Sequence, residues 1–346
     1  MMPSRYTLGT PEYDTMKNTQ DKCNFPIDIV YLWVDGNDPE WKAKKNRYTG
    51  TAEDTTALEE ARFRENDELK YSLRSIEKYA PWVNRIFIVT DGQTPSWLDT
   101  TNPKVQIIDH SQIFPADALP IFNSQAIESV IHKIPGLSEH FICGNDDTML
   151  AAPASPSDFF SADGRPIVRL HGTPLKRKKA VNSSVYRKLI VQMRELIAEK
   201  YGMLITNPPH HNLDSYRISD IKQCEAEFSD RWKATAYSRF RSDKDIQRCV
   251  VGYYAIATGR GIMRKVGRFN RINSVWGAIK AIATNRYAND SRTFPIALKD
   301  YDAVMRKYNP LMFCMNDGEM STDEDCRRMS AFLQKMFPER SSFEKQ

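Results

Sequence analysis

The chain has 346 residues, 41% hydrophobic and 27% charged, with a formal net charge of +5. That is the balance of a soluble enzyme of one large domain or two, and the mild positive surplus hints at an anionic ligand without demanding nucleic acid, so no nucleic-acid partner is expected. No apolar stretch approaches the roughly 18–20 residues that span a bilayer, and six cysteines without CxxC or metal spacing predict free thiols in a reducing cytoplasm.

Residues 1–26 are polar, lack the apolar core of a signal peptide and read as a tail or lid. The first strand follows. Ile27–Val34 is a compact β-branched and aromatic run, stopping at Asp35-Gly36-Asn37-Asp38-Pro39. Taken alone, such a turn only ends a strand. The pattern recurs, however. Arg85–Val89 ends at Thr90-Asp91-Gly92, Lys104–Ile108 at Asp109-His110, and Phe141–Cys143 at Gly144-Asn145-Asp146-Asp147. If these strands run parallel, their acidic ends gather at one sheet edge, where open α/β folds bind ligands. Unneutralised carboxylates are costly together, so a divalent cation, basic side chains or both belong among them.

Between these strands, Asn66 can cap a helix with apolar positions Leu69, Leu73, Ile76 and Ala80. Arg62 and Arg64 just precede it and serve either as phosphate ligands or as solvated surface. Asn123 or Ser124 caps a helix Gln125–Lys133, on which Glu128 and His132 share a face as a weak ion pair or as active-site groups. Asn145, Asp146 and Asp147 offer hard oxygen ligands suited to Mg²⁺ or Mn²⁺. Ala151–Pro156 reads as a linker. Lys176–Lys179 is a basic run, either a solvated face or a grip on a polyanion or membrane surface. Ser184–Lys200 is an amphipathic helix, and two histidines, His210 and His211, sit in a Pro-rich loop before a helix Ser215–Phe228.

Arg239–Asp245 repeats the arginine-before-helix design, with Ser242 or Asp243 as cap and a helix running to Ala257. Ser274–Thr284 is an apolar segment of ambiguous type. Met312–Met315 ends at another acidic turn, Asn316-Asp317-Gly318, and Ser321–Glu324 is a capping box for the last helix, with Leu333, Met336 and Phe337 inside.

These stretches resemble the Stealth family in order. IDIVYLWVDGNDPEW resembles its first conserved region; RFRENDELKYSLRSIEKYAPWVNRIFIVTDGQTPSWL with LPIFNSQAIESVIHKIPGLSEHFICGNDD its second; PHHNLD and RFRSDKDIQ its third; and CMNDGEMSTDEDCRRMSAFLQKMFPERSSFE its fourth. The resemblance implies an α/β, Rossmann-like or GT-A-like fold: a mostly parallel sheet with flanking helices and a helical insertion. It implies one catalytic domain over 27–346, with a nucleotide-sugar and metal core at 27–150, a helical acceptor region at 151–270 and a completing segment at 271–346.

The implied reaction moves a sugar 1-phosphate from a UDP-sugar, UDP-N-acetylglucosamine being one such donor, to a hydroxyl of a capsular or other exopolysaccharide glycan, with release of UMP. The compact form looks bacterial. It would work in the cytoplasm, or at the inner face of the membrane beside capsule-export machinery. His211 matches the family's third-region histidine and would be the base or a covalent nucleophile. Arg241, with Arg62 or Arg64, would stabilise phosphate charge. Asp146, Asp147 and Asp317 would hold Mg²⁺ (or Mn²⁺). Trp33, Asp35 and Asp38 would line the nucleotide-sugar pocket with Asn145, while Asp91, Glu128 and His132 orient donor or acceptor. Two other readings are a metal-dependent glycosyltransferase that breaks the C1–O bond and releases UDP, and a non-catalytic carbohydrate-binding protein, which would need few of these acidic, His and Arg groups.

Overall fold

The structure is a computed structural model that describes residues 23–52, 58–59, 62–177, 184–267, 286–287, 290–318 and 320–346. The expected segment Ser274–Thr284 and most of the N-terminal tail lie outside the described residues. In chain order the strands are β1 (Ile27–Leu32), β2 (Ile86–Thr90), β3 (Val105–Asp109), β4 (His140–Asn145), β5 (Thr148–Leu150) and β6 (Ile167–His171). Then come β7 (Asp214–Arg217), β8 (Ile262–Val266), β9 (Arg286–Tyr287), β10 (Ser291–Pro295) and β11 (Met312–Asn316).

The main sheet has the order β3-β2-β1-β4-β7. Its first four members are parallel, and β7 runs antiparallel on the edge beside β4. From β1 the chain builds outward to β2 and β3, then returns to place β4 on the other side. The switch point therefore lies between the carboxyl ends of β1 and β4, where an open α/β sheet leaves a crevice. The centres of the inner strands read as apolar runs because both faces are covered. Val30, Phe87, Val89, Ile108, Phe141 and Cys143 enter one core, and Ile27, Ile29, Tyr31, Ile86, Ile88 and Ile142 the other.

Helices supply those covers. After α1 (Pro39–Asn46), α2 (Glu68–Tyr79) buries Leu69, Leu73 and Ile76 against the second of these cores. On the opposite face lie α3 (Ser124–Val130), α4 (Val185–Tyr201), α5 (Ile218–Glu227), α6 (Ser229–Ala236) and α7 (Cys249–Ala257). The chain closes with α8 (Tyr301–Tyr308) and α9 (Asp323–Met336). A small sheet, β10-β11-β5, packs Met149, Phe294, Phe313 and Met315 onto Phe332 and Leu333 of α9. The Met312–Met315 strand therefore belongs to this second sheet rather than to the main one. A third sheet, β6-β8-β9, is parallel.

Several local expectations change. The helix expected at Ser215–Phe228 begins as edge strand β7, because Ser215 and Tyr216 pair with Ile142 and Phe141. The helix expected from Ser242 starts only at Cys249; the Asp245 carboxylate instead accepts from the Ser242 N–H and from Asn123 Nδ2, folding a turn. Ala151–Pro156 is no linker. The Ala154 carbonyl accepts from Trp82 Nε1 at 2.7 Å, and the Ala154 N–H donates to Tyr79 at 2.9 Å. At the start of α2 the cap position falls on Asp67, at φ +66°, while the Asn66 N–H and amide donate to Glu68. The last capping box sits one residue later than expected, on Thr322 and Asp325. No described helix is long and apolar enough to cross a membrane.

Candidate active site

A cleft of about 1130 Å³ opens at the carboxyl ends of β1 and β4. Among its walls are Trp33, Arg62, Arg64, Asp91, Glu128, Asn145, Asp146, Asp147, His211, Arg241 and Asp317. Residues separated by up to 284 positions in the sequence thus share one cavity (Trp33 and Asp317). Two close backbone approaches assemble it. Gly36 donates its N–H to the Phe63 carbonyl at 2.7 Å, and a Cβ on Gly36 would lie 2.0 Å from that oxygen. Only glycine lets the turn after β1 clamp the segment that carries Arg62 and Arg64. At Gly144, a Cβ would lie 2.7 Å from Leu213 Cδ2 and 3.0 Å from the Tyr31 ring. The bare backbone there seats the loop that carries His211 against the end of β4.

That contact yields a prediction. Gly144→Val overpacks a site whose Tyr31 ring is held by a 2.8 Å hydrogen bond to Ser72. It lowers unfolding stability by about 1–3 kcal/mol, read as a lower urea midpoint. Leu213, which must give way, lies two residues from His211, so activity falls in the folded fraction as well.

The acidic end of β4 is the electrostatic centre. Burial raises Asp146 well above the carboxylate range, and the charges of Asp147, Glu68 and Glu65 push it further. Among the described residues no cationic side chain pairs with it. Glu68, buried at the start of α2, is pushed up to about 7 by desolvation. Burial alone would raise Asp147 too, but the facing His211 ring, with hydrogen bonds from Cys314 and Thr148, holds it below the ordinary value. A half-buried carboxyl crowded by three others and lacking a positive partner among the described residues fits a divalent cation, with Asp146 and Asp147 as oxygen donors.

The basic wall is formed by Arg62, Arg64 and Arg241. Arg241 Nη2 donates to Ser124 Oγ at 2.6 Å. Burial brings its pKa down to about 10, with Arg62 adding like-charge repulsion. A group titrating there is still protonated at neutral pH, and an anion between the two guanidiniums would relieve the repulsion.

His211 Nε2 lies 3.7 Å from Asp147 Oδ1 and 3.3 Å from Asn145 Nδ2. The tautomer follows from a neighbour that the motifs miss. Arg248 Nη1 reaches Asn145 Oδ1 at 3.3 Å. A guanidinium can only donate, so the amide oxygen must face it and the amide NH₂ must face His211. In the neutral ring Nε2 then accepts from that amide and the proton sits on Nδ1, whereas the lowering of Asp147 belongs to the protonated ring, whose Nε2 donates. Arg248 also binds Glu128 Oε1 at 3.2 Å and Asp214 Oδ2 at 3.1 Å, with only 10% of its side chain exposed. It follows directly on the RFRSDKDIQ stretch, yet nothing local marks it, because its partners come from distant segments. His110, buried beside Asp91 in the cleft wall, was missed for the same reason.

Some expected residues fall elsewhere. Asp38 caps α1, accepting from the Glu40 and Trp41 N–H groups and from Gln93 Nε2, and does not line the cleft. Asp35 closes an Asx turn on the Asn37 N–H at 2.8 Å and also lies off the cleft wall. Asp317 reaches the cleft, where Arg64 pairs with it at 2.8 Å. Asp91 pairs with Lys44 at 2.8 Å.

Glu128 and His132 share no face. The α-helix ends at Val130, and His132 lies in the following 3₁₀ turn, buried against Glu225 at 2.7 Å. That contact has a pH signature. The His132 hydrogen bond and Lys133 lower Glu225 to about 2, from 4.5. A depressed carboxylate stabilises the fold above its unfolded pKa and loses that contribution as pH falls through the folded one. Glu225 is a third exposed, so screening leaves about 1–2 kcal/mol. The wild-type minus Glu225→Gln stability difference should shrink as pH falls from 4.5 toward 2.

Comparison with known proteins converges on one family. Residues 25–52 match the model of Stealth protein conserved region 1, and residues 62–168 that of conserved region 2. An exopolysaccharide phosphotransferase of Streptomyces coelicolor is 35% identical over 337 residues, covering 94% of this chain and 53% of that protein. The exopolysaccharide phosphotransferase CpsY of Mycobacterium tuberculosis (strain H37Rv) is 36% identical over 335 residues, covering 93% and 58%. The chain therefore spans little more than half the length of these curated relatives. A solved galactosyltransferase, LgtC, in complex with donor and acceptor sugar analogues, superposes with a TM-score of 0.40 at 10% identity over 91% of this chain and 97% of that one, a likeness too loose to carry an argument. On its two conserved regions and its identity to these relatives along nearly its whole length, the chain belongs to the Stealth family.

Proposed function

We propose that the protein transfers a sugar 1-phosphate from a UDP-sugar to a hydroxyl of a glycan during exopolysaccharide or capsule synthesis, and releases UMP. The observation that carries this reading is the meeting, in one cleft at the sheet's switch point, of a lone-pair-bearing His211 with Arg62, Arg64 and Arg241 and the Asp146–Asp147 pair. Relatives named exopolysaccharide phosphotransferases support the same chemistry.

In this reading the acceptor hydroxyl oxygen attacks the β-phosphorus, the one that bears the sugar. A new O–P bond forms as the α–β bridging bond breaks, and UMP departs with the bridging oxygen. The sugar C1–O bond is untouched, so the anomeric configuration is retained. His211 Nε2 takes the hydroxyl proton. Arg241, flanked by Arg62, steadies charge building on the equatorial phosphate oxygens. A divalent ion held by Asp146 and Asp147 would supply further neutralisation of the diphosphate. Asn145, clamped by Arg248, sets the ring of His211 in its accepting tautomer.

Incubation with a panel of UDP-sugars and glycan acceptors, followed by mass analysis of nucleotide and product, tests the proposal. UMP with a phosphodiester-linked product supports it. UDP with a plain glycoside would replace it by a metal-dependent glycosyltransferase on the same cleft.

A further inference from the structure

Behind the carboxylates of the cleft floor the donor chemistry changes. Asp147 Oδ1 lies 3.7 Å from His211 Nε2, and Oδ2 accepts from Cys314 Sγ at 3.2 Å. The ligating atoms of Asp147, His211 and Cys314 all lie within 4.8 Å of one another. Cys314 is fully buried on β11, His211 is on the loop before β7, and Asp147 follows β4. Three separate segments therefore point one oxygen, one nitrogen and one sulfur at a common centre. Zinc binds such atoms at about 2.0–2.3 Å, which in a tetrahedron sets them about 3.3–3.7 Å apart.

We propose that Asp147, His211 and Cys314 form a site for a borderline-soft divalent cation of the zinc type, with a fourth position open to the cleft. Mg²⁺ is a poor occupant. It demands near-octahedral oxygen coordination and gains little from sulfur. Binding is balanced by release of the thiol proton: the zinc ion and Cys314 Sγ–H give a zinc–thiolate bond and a proton to solvent, while the carboxylate and the imidazole lone pair complete the set. An ion seated there occupies the Nε2 lone pair, so it would block the proton transfer assigned to His211. That consequence rests on the proposed reaction, whereas the metal site does not.

The test uses Co²⁺ as a spectroscopic probe on the chelator-treated full chain, with neither donor nor acceptor present. Its failure is thereby separate from failure of the transfer reading. The expected result is a thiolate-to-cobalt charge-transfer band in the near ultraviolet with strong tetrahedral visible bands. These saturate at one equivalent and are displaced by an equivalent of Zn²⁺ but not by excess Mg²⁺.

Cys314→Ser removes the charge-transfer band, and Cys326→Ser keeps it. His211→Ala, at a partly exposed side chain, weakens Co²⁺ binding. The loss is at least the roughly 10–100-fold that removal of even an outer-sphere partner costs. Absence of the band in the wild-type chain overturns the site, as does a full-strength band in Cys314→Ser. Should Cys314→Ser not fold, unchanged Co²⁺ affinity in both His211→Ala and Asp147→Asn overturns it equally.

Discussion

His211→Ala lowers turnover by about 10²–10⁴-fold, the usual contribution of a histidine base, while the donor KM stays within a few-fold of wild type. The split follows from the geometry. In the proposed reaction Nε2 takes the hydroxyl proton, whereas Arg62 and Arg241 meet the diphosphate's charge. Loss of a proton acceptor therefore strikes the chemical step more than ground-state binding. The substitution is expected to leave the fold intact because the ring is partly exposed, its nearest polar neighbours being Asn145 and Asp147. Steady-state kinetics on the folded variant, with the released nucleotide quantified, decide the matter. Near-normal turnover would remove His211 from the role assigned to it.

Arg248→Met has the largest expected effect on stability. The wild-type guanidinium serves the Glu128 and Asp214 carboxylates and the Asn145 amide at once, in a nearly closed environment. The methionine fills a similar volume but leaves two carboxylates without a countercharge. Breaking a buried ion pair by deleting one partner costs about 3–5 kcal/mol. Urea unfolding should show that loss. Asp214→Asn in the Arg248→Met background should recover part of it, because one stranded charge is gone. Arg248→Lys should fall between, since an ammonium keeps the charge but cannot fork across three acceptors. In the folded fraction of Arg248→Met the Asn145 amide is free to turn over, so turnover drops even though Arg248 itself lies behind Asn145. A stability loss below about 1 kcal/mol would mean that solvent screens the cluster as it does surface pairs.

Much of the frame was readable before any coordinates. Runs such as Ile29–Leu32 and Ile86–Val89 are apolar at every step because both faces of a parallel sheet are buried, and that pattern is written in the residues themselves. The acidic ends of those runs announced the functional edge for the same reason: a parallel sheet delivers all its carboxyl ends to one side. Tertiary structure decided which of those acids face the cleft. Asp35 and Asp38 look the same in sequence as Asp146 and Asp147, yet a free helix N-terminus and a tight turn claim the first pair locally. Asp317 is matched by Arg64, 253 residues away in sequence, and His132 by Glu225, 93 residues away. Arg248 is the extreme case. A charge buried among partners from three distant segments has no local signature, because its energy comes from who its neighbours are in space and the chain order carries no record of them.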